Sequence, residues 1–201
     1  MSGPAEATEP VGRLKSPRTR LFIALDLPET FLDDRVEWQR HALGGRDELR
    51  LLPKESLHIT LIFLGYQAER DVERISTVTF EEPAAPFELH PKEVVSVPPR
   101  RPRLYAVAME EGPERLTPWQ GRLSERLERV GFYKPEKRPF WPHLTVARLK
   151  RDRRTQPTMS NGPPPLAKAL TTPFQARALT LYKSTLRPQG ALYEPLATVD
   201  L

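Results

Sequence analysis

The chain has 201 residues, 38% of them hydrophobic and 28% charged, with no cysteine and a formal charge of +5. That length supports one large domain or two small lobes around a real core. The missing cysteines exclude disulfides, thiolate nucleophiles and cysteine-ligated zinc. No apolar run approaches the roughly 20 residues of a membrane-spanning helix, so the protein reads as soluble, and its chemistry falls to histidines, hydroxyls and carboxylates.

The first 17 residues are rich in Pro, Ser, Thr, Gly and charge and lack the apolar stretch of a secretory signal, which predicts a disordered arm. Leu21–Leu25 reads as a strand; Leu32, Val36, Gln39 and Leu43 then recur at helical spacing, with Gly44-Gly45 as a stop. Leu57–Leu64 is a strand closed by Gly65, and Val72, Ile75 and Val78 support a second helix over 68–78. From Phe87 the pattern restarts, with strands at 87–97 and 103–109 separated by a Pro/Arg turn at 98–102. Leu116, Trp119, Leu123, Leu127 and Val130 line one face of a helix, for which Thr117-Pro118-Trp119-Gln120 predicts a capping box and Gly131 a stop. The strand His143–Leu149 follows, then a polar, Pro-rich loop over 150–165, and two closing strands at 174–183 and 191–199 split by the turn at 187–190.

Each half thus holds a strand, a helix and a later strand opening on His-x-Thr: His58-Ile59-Thr60 and His143-Leu144-Thr145. The expectation is an α+β fold over residues 18–201, a single domain of two pseudo-symmetric lobes of antiparallel sheet with outer helices. Residues i and i+2 of a strand share a face, so each histidine lies beside its threonine. Burying both pairs in an apolar core is expensive, whereas a shared polar cleft gives two imidazoles, with ordinary pKa near 6.5, that serve as acid and base. The two hydroxyls beside them can bond phosphate oxygens. The other two histidines, His41 on the polar part of the first helix and His90 in a strand with no following hydroxyl, read as structural.

Basic residues cluster at 13–20, 98–103, 134–138 and 150–154, the last two bracketing His143, and the sequence pI is about 9.6. This balance favours a polyanionic partner such as nucleic acid.

LPKESLHITLIFLG (52–65) and RPFWPHLTVARL (138–149) resemble the two signature segments of the two-histidine phosphoesterase superfamily, specifically the RNA 2′,3′-cyclic phosphodiesterases historically called 2′-5′ RNA ligases. RLFIALDLP (20–28) and LTLYKSTLRPQGALYEPL (179–196) are similar to that family's opening and closing strands. The resemblance implies a bilobal fold with a V-shaped groove, no metal and no cofactor. It implies His58 as the acid that protonates O3′ and His143 as the base that activates water, leaving a 2′-phosphomonoester. Thr60 and Thr145 would hold the non-bridging oxygens, and Arg148, matching the family's terminal arginine, would stabilise phosphate charge. Phe63 holds the equivalent place after His58, where the resemblance suggests a stacked base, but strict alternation puts Phe63 opposite His58, in the core, unless the strand bulges or ends early. The basic clusters at 134–138 and 150–154 would engage RNA backbone beyond the cleaved end, and the reverse reaction would join ends through a 2′-5′ linkage. The expected partner is RNA with a 2′,3′-cyclic phosphate terminus, with no membrane, for a cytoplasmic monomer. The residues alone leave open which histidine is the acid. A non-catalytic receptor for RNA ends and a phosphodiesterase for small cyclic nucleotides stand as alternatives.

Overall fold

A computed structural model describes residues 16–150, 162–188 and 190–201. Of the expected arm, residues 1–15 lie outside the described residues, as do residues 151–161 of the expected loop. In chain order the elements are β1 (Arg18–Asp26), α1 (Glu29–Leu43), β2 (Leu49–Leu51), β3 (Ile59–Ala68), α2 (Val72–Phe80), β4 (Glu88–Val97) and β5 (Leu104–Glu111). Then follow α3 (Leu116–Arg129), β6 (His143–Leu149), β7 (Phe174–Gln175), β8 (Ala178–Arg187) and β9 (Gly190–Asp200).

The described strands form one sheet in the order β7-β4-β5-β6-β3-β1-β8-β9, with β2 paired to β6. Every pairing is antiparallel. Two lobes meet at its middle: β3-β1-β8-β9 on one side, β6-β5-β4-β7 on the other. The seam is thin, for β3 and β6 share the single register pair Ile59↔Leu144. In each lobe a strand leads through a helix to an antiparallel neighbour with a histidine at or just before its start, β1–α1–β3, with β2 between α1 and β3, and β5–α3–β6. That is the expected pseudo-symmetry, with one complication of connectivity: β8 and β9 come from the end of the chain and complete the first lobe.

The core is built as the periodicity predicts. Leu21, Ile23 and Leu25 of β1, Ile59 of β3, Val107 of β5 and Leu144 of β6 are fully buried. Leu116, Trp119, Leu123 and Leu127 of α3 and Leu32, Trp38 and Leu43 of α1 pack over them. The α3 capping box is not formed. The helix starts at Leu116 without a side-chain cap, and Thr117 instead donates its N–H (3.0 Å) and its hydroxyl to Oε1 of Glu111, at the end of β5. A carboxylate from the preceding strand satisfies these first-turn donors and faces the positive end of the helix dipole.

Several strand pairings carry register shifts, including one at Leu64 between β1 and β3, and two of the shifts fall at matched positions in the two lobes. Along β1–β3 the register passes from Ala24↔Thr60 to Ile23↔Ile62, skipping Leu61. Along β5–β6 it passes from Ala106↔Thr145 to Tyr105↔Ala147, skipping Val146. Both skipped residues stand three places after a histidine. One extra residue inverts the phase of the pleat, so Leu61 with Ile62 and Val146 with Ala147 are buried together. The fifth residue after each histidine then returns to the histidine's face.

Candidate active site

His58 immediately precedes β3 and His143 opens β6, so the β3–β6 seam brings the two His-x-Thr segments together in one groove. Its lining includes His58, Thr60, His143, Thr145, Arg148 and Phe63, all six residues singled out from sequence. For Phe63 this corrects the expectation: the bulge at Leu61 turns its ring, 40% exposed, into the groove rather than the core. The bulge at Val146 does the same for exposed Arg148.

Each imidazole rests on an aromatic shelf. His58 stacks on Phe22 at 4.8 Å between ring centroids and meets Tyr193 edge-on at 5.1 Å. His143 stacks on Trp141 at 4.4 Å with an interplanar angle of 14°. These shelves are apolar walls on imidazoles that are themselves half-buried, and they favour the uncharged form. Burial, with smaller contributions from Arg148 and His143, pushes His58 down to about 4. His143 is also lowered, again mainly by burial, with the Trp141 carbonyl opposing and Arg148 assisting. Both shifts favour the neutral imidazole at pH 7. His143 Nδ1 lies 2.8 Å from the Trp141 carbonyl oxygen. A carbonyl only accepts, so Nδ1 carries the proton and Nε2 keeps its lone pair.

Around this centre lie residues the sequence reading did not single out. Arg20 of β1 holds its guanidinium 4.3 Å over the Phe63 ring and donates to Ser184 Oγ at 2.8 Å. Phe22, Tyr193, Leu52 and Ser56 line the groove as well. Ser56 and Trp141 each stand two places before a histidine, which is the one local signal that could have found them; Arg20, Phe22 and Tyr193 arrive through long-range pairing. His90 bonds Glu88 at 2.7 Å and His41 is exposed on α1, outside the groove. Among the described residues no group of three or more His, Asp or Glu side chains is placed to hold a metal ion. No helix among them is long and apolar enough to cross a membrane. Of the basic clusters, 98–103 adjoins the Arg148 end of the groove, since Leu104 pairs with Arg148 and the Leu149 N–H donates to the Arg103 carbonyl at 2.8 Å. Residues 134–138 are exposed before β6, and of 150–154 only Lys150 is described.

The sequence and the fold are both similar to those of known proteins. The profile of the 2′-5′ RNA ligase superfamily matches residues 32–186. An RNA 2′,3′-cyclic phosphodiesterase of Archaeoglobus fulgidus is 31% identical over 186 residues, covering 90% of this chain and 99% of its own. One of Methanothermobacter thermautotrophicus is 30% identical over 188 residues, covering 92% and 100%. The solved TT0787 structure of Thermus thermophilus superposes with a TM-score of 0.74 at 25% identity, covering 90% of this chain and 97% of its own. Escherichia coli LigT complexed with 3′-AMP shares the fold, with a TM-score of 0.75 at 23% identity over 92% and 99% of the two chains. With paired His-x-Thr strands across a two-lobed antiparallel sheet and a profile match over most of its length, the chain belongs to the 2′-5′ RNA ligase superfamily.

Proposed function

We propose that this protein hydrolyses RNA 2′,3′-cyclic phosphate ends to 2′-phosphomonoesters, using His58 and His143 as acid and base and no metal. The observation that carries this reading is the convergence of two imidazoles and two threonines at the matched strand starts of facing lobes. Relatives named RNA 2′,3′-cyclic phosphodiesterase, aligned over nearly their whole length, support the substrate class.

The cyclic phosphate sits with its non-bridging oxygens on the Thr60 and Thr145 hydroxyls and its charge facing Arg148. His143 fits the base: it is neutral, and its Nδ1–H is held by a backbone carbonyl, so Nε2 is the atom that takes a proton from the attacking water. His58 is the acid that protonates O3′ as the P–O3′ bond breaks opposite the water. An imidazole held down to about 4 is rarely charged at neutral pH. The anionic substrate must therefore raise its proton affinity on entering the groove, which ties protonation of the acid to substrate binding. With an RNA 5′-hydroxyl in place of water, the same displacement yields a 2′-5′ linkage. The missing cysteines suit a reducing cytoplasm, where we place the protein as a monomer.

The test is an oligoribonucleotide ending in 2′,3′-cyclic phosphate, incubated with purified protein in the presence of chelator, with the terminal phosphate mapped afterwards. A 2′-phosphate is expected. A 3′-phosphate, a requirement for added metal, or full activity in both His58→Ala and His143→Ala would overturn the reading.

A further inference from the structure

Two glutamines occupy matched places under the groove. Gln39 of α1 is 2% exposed and Gln120 of α3 is 9% exposed. Each donates from Nε2 to the carbonyl of a bulged residue: Gln39 to Val146 at 2.5 Å, Gln120 to Leu61 at 3.2 Å. The bonds cross between lobes. The helix that leads to β3 in the first lobe supports β6 in the second, and the helix that leads to β6 supports β3.

Bulged residues need such donors. Leu61 is skipped by the β1 ladder, and the ladder to β6 ends at Ile59, so Leu61 falls outside both. Val146 is skipped by the β5 ladder; its carbonyl also accepts the Leu52 N–H at 3.0 Å, and Gln39 donates to the Leu52 carbonyl at 3.1 Å. Gln39 Oε1 has no partner among the described residues, so this buried amide is engaged through its donors alone. A buried carbonyl that loses one of its donors is held less firmly, even where, as at Val146, the Leu52 N–H remains, and a strand can relieve that loss by dropping the bulge. Dropping it would invert the pleat beyond the bulge and turn Arg148 or Phe63 out of the groove.

We infer that Gln39 and Gln120 are positioning residues for substrate binding: by holding the bulges at Val146 and Leu61 from the opposite lobe, they keep Arg148 and Phe63 on the face of the two histidines. The inference rests on the proposed activity for its kinetic readout, but not for its structural one. His58 and His143 precede the bulges and keep their places, so losing a glutamine acts on substrate binding more than on the chemical step.

The experiment measures turnover of the cyclic-phosphate oligoribonucleotide by Gln39→Met and Gln120→Met, each alone and combined with Arg148→Ala or Phe63→Ala. Gln120→Met removes one hydrogen bond and Gln39→Met two; each bond of ordinary strength corresponds to about a three- to tenfold change, expected in KM with a smaller change in kcat. The Gln39→Met effect should vanish in the Arg148→Ala background and persist with Phe63→Ala, and Gln120→Met should show the reverse pattern. Effects that simply add in every background, or that fall on kcat alone, overturn the inference. Amide hydrogen exchange needs no substrate: Gln39→Met should speed exchange in 144–149 and Gln120→Met in 59–65, whereas uniform or absent acceleration overturns it. If wild-type protein does not cleave the oligoribonucleotide, the proposed function fails, and exchange still decides the role of the glutamines. Gln39→Asn and Gln120→Asn, which keep the amide but draw it back by one methylene, carry the same expectations where a methionine variant does not fold.

Discussion

At the scale of single residues, the groove sets two imidazoles against aromatic rings and lowers the proton affinity of both. A general acid or base typically contributes about 10²–10⁴-fold, so His58→Ala and His143→Ala should each lose kcat by that order, measured on the cyclic-phosphate substrate under saturation. Trp141→Ala should lose much less, because the His143 tautomer is held by the Trp141 backbone carbonyl and not by its ring. The depressed His58 also makes stability depend on pH. In the unfolded chain the imidazole takes a proton near pH 6.5, whereas in the folded protein it does so only at about 4. Between those values the unfolded state binds more protons, so stability falls as pH drops through this window and the whole contribution is gone below it. Thermal midpoints recorded from pH 7 to 4 should show a smaller decline in His58→Gln than in wild type; an identical decline would refute the assignment.

At the scale of elements, the bulges at Leu61 and Val146 decide what the groove contains. Phe63→Ala should weaken binding of the oligoribonucleotide by about 1–3 kcal/mol if a base stacks on this ring, measured as affinity in a His143→Ala background where turnover is slow. Helix α3 offers a contrast. Leu127 is fully buried and outside the groove, so Leu127→Ala should cost about 2–5 kcal/mol of stability in denaturant melts and leave KM unchanged. These elements differ in how far the sequence betrays them. Strand and helix positions and the pairing of His with Thr follow from local periodicity, the β8–β9 hairpin follows from its turn residues, and the resemblance named Phe63 and Arg148 as site residues. The path that delivers Phe63 to the groove was illegible, because a bulge is a property of register between two strands and leaves no mark on one of them. The same holds for the Glu111 cap of α3, which reaches back from the preceding strand, and for Gln39, which reads as one more position in a helical stripe. Phe22, Tyr193 and Arg20 escaped for want of any local cue, since β1 and β9 meet the groove only through sheet order.

At the scale of the molecule, charge and connectivity carry consequences that no single element holds. The formal charge of +5 and the Arg-rich turn beside Arg148 predict that KM for an oligoribonucleotide rises steeply with salt. KM for a mononucleoside 2′,3′-cyclic phosphate, which spans only the groove, should rise far less; parallel salt dependences would remove RNA backbone from the interface. Connectivity acts earlier in the protein's life. β1 is sealed on one edge by β3, close in sequence, and on the other by β8, through pairs such as Leu21↔Lys183. Contacts of such long sequence separation form slowly, and at synthesis rates of roughly 5–20 residues per second β1 waits for many seconds before its partner exists. During that interval the nascent chain bears an open, apolar strand edge. By its end the chain has every group from His58 to Arg148 that the proposed reaction uses but not Tyr193, which borders His58. A chain stopped before β8 therefore carries the whole set of chemical groups and no enclosed lobe to hold them, and should appear in cells as a chaperone client rather than as a weak enzyme.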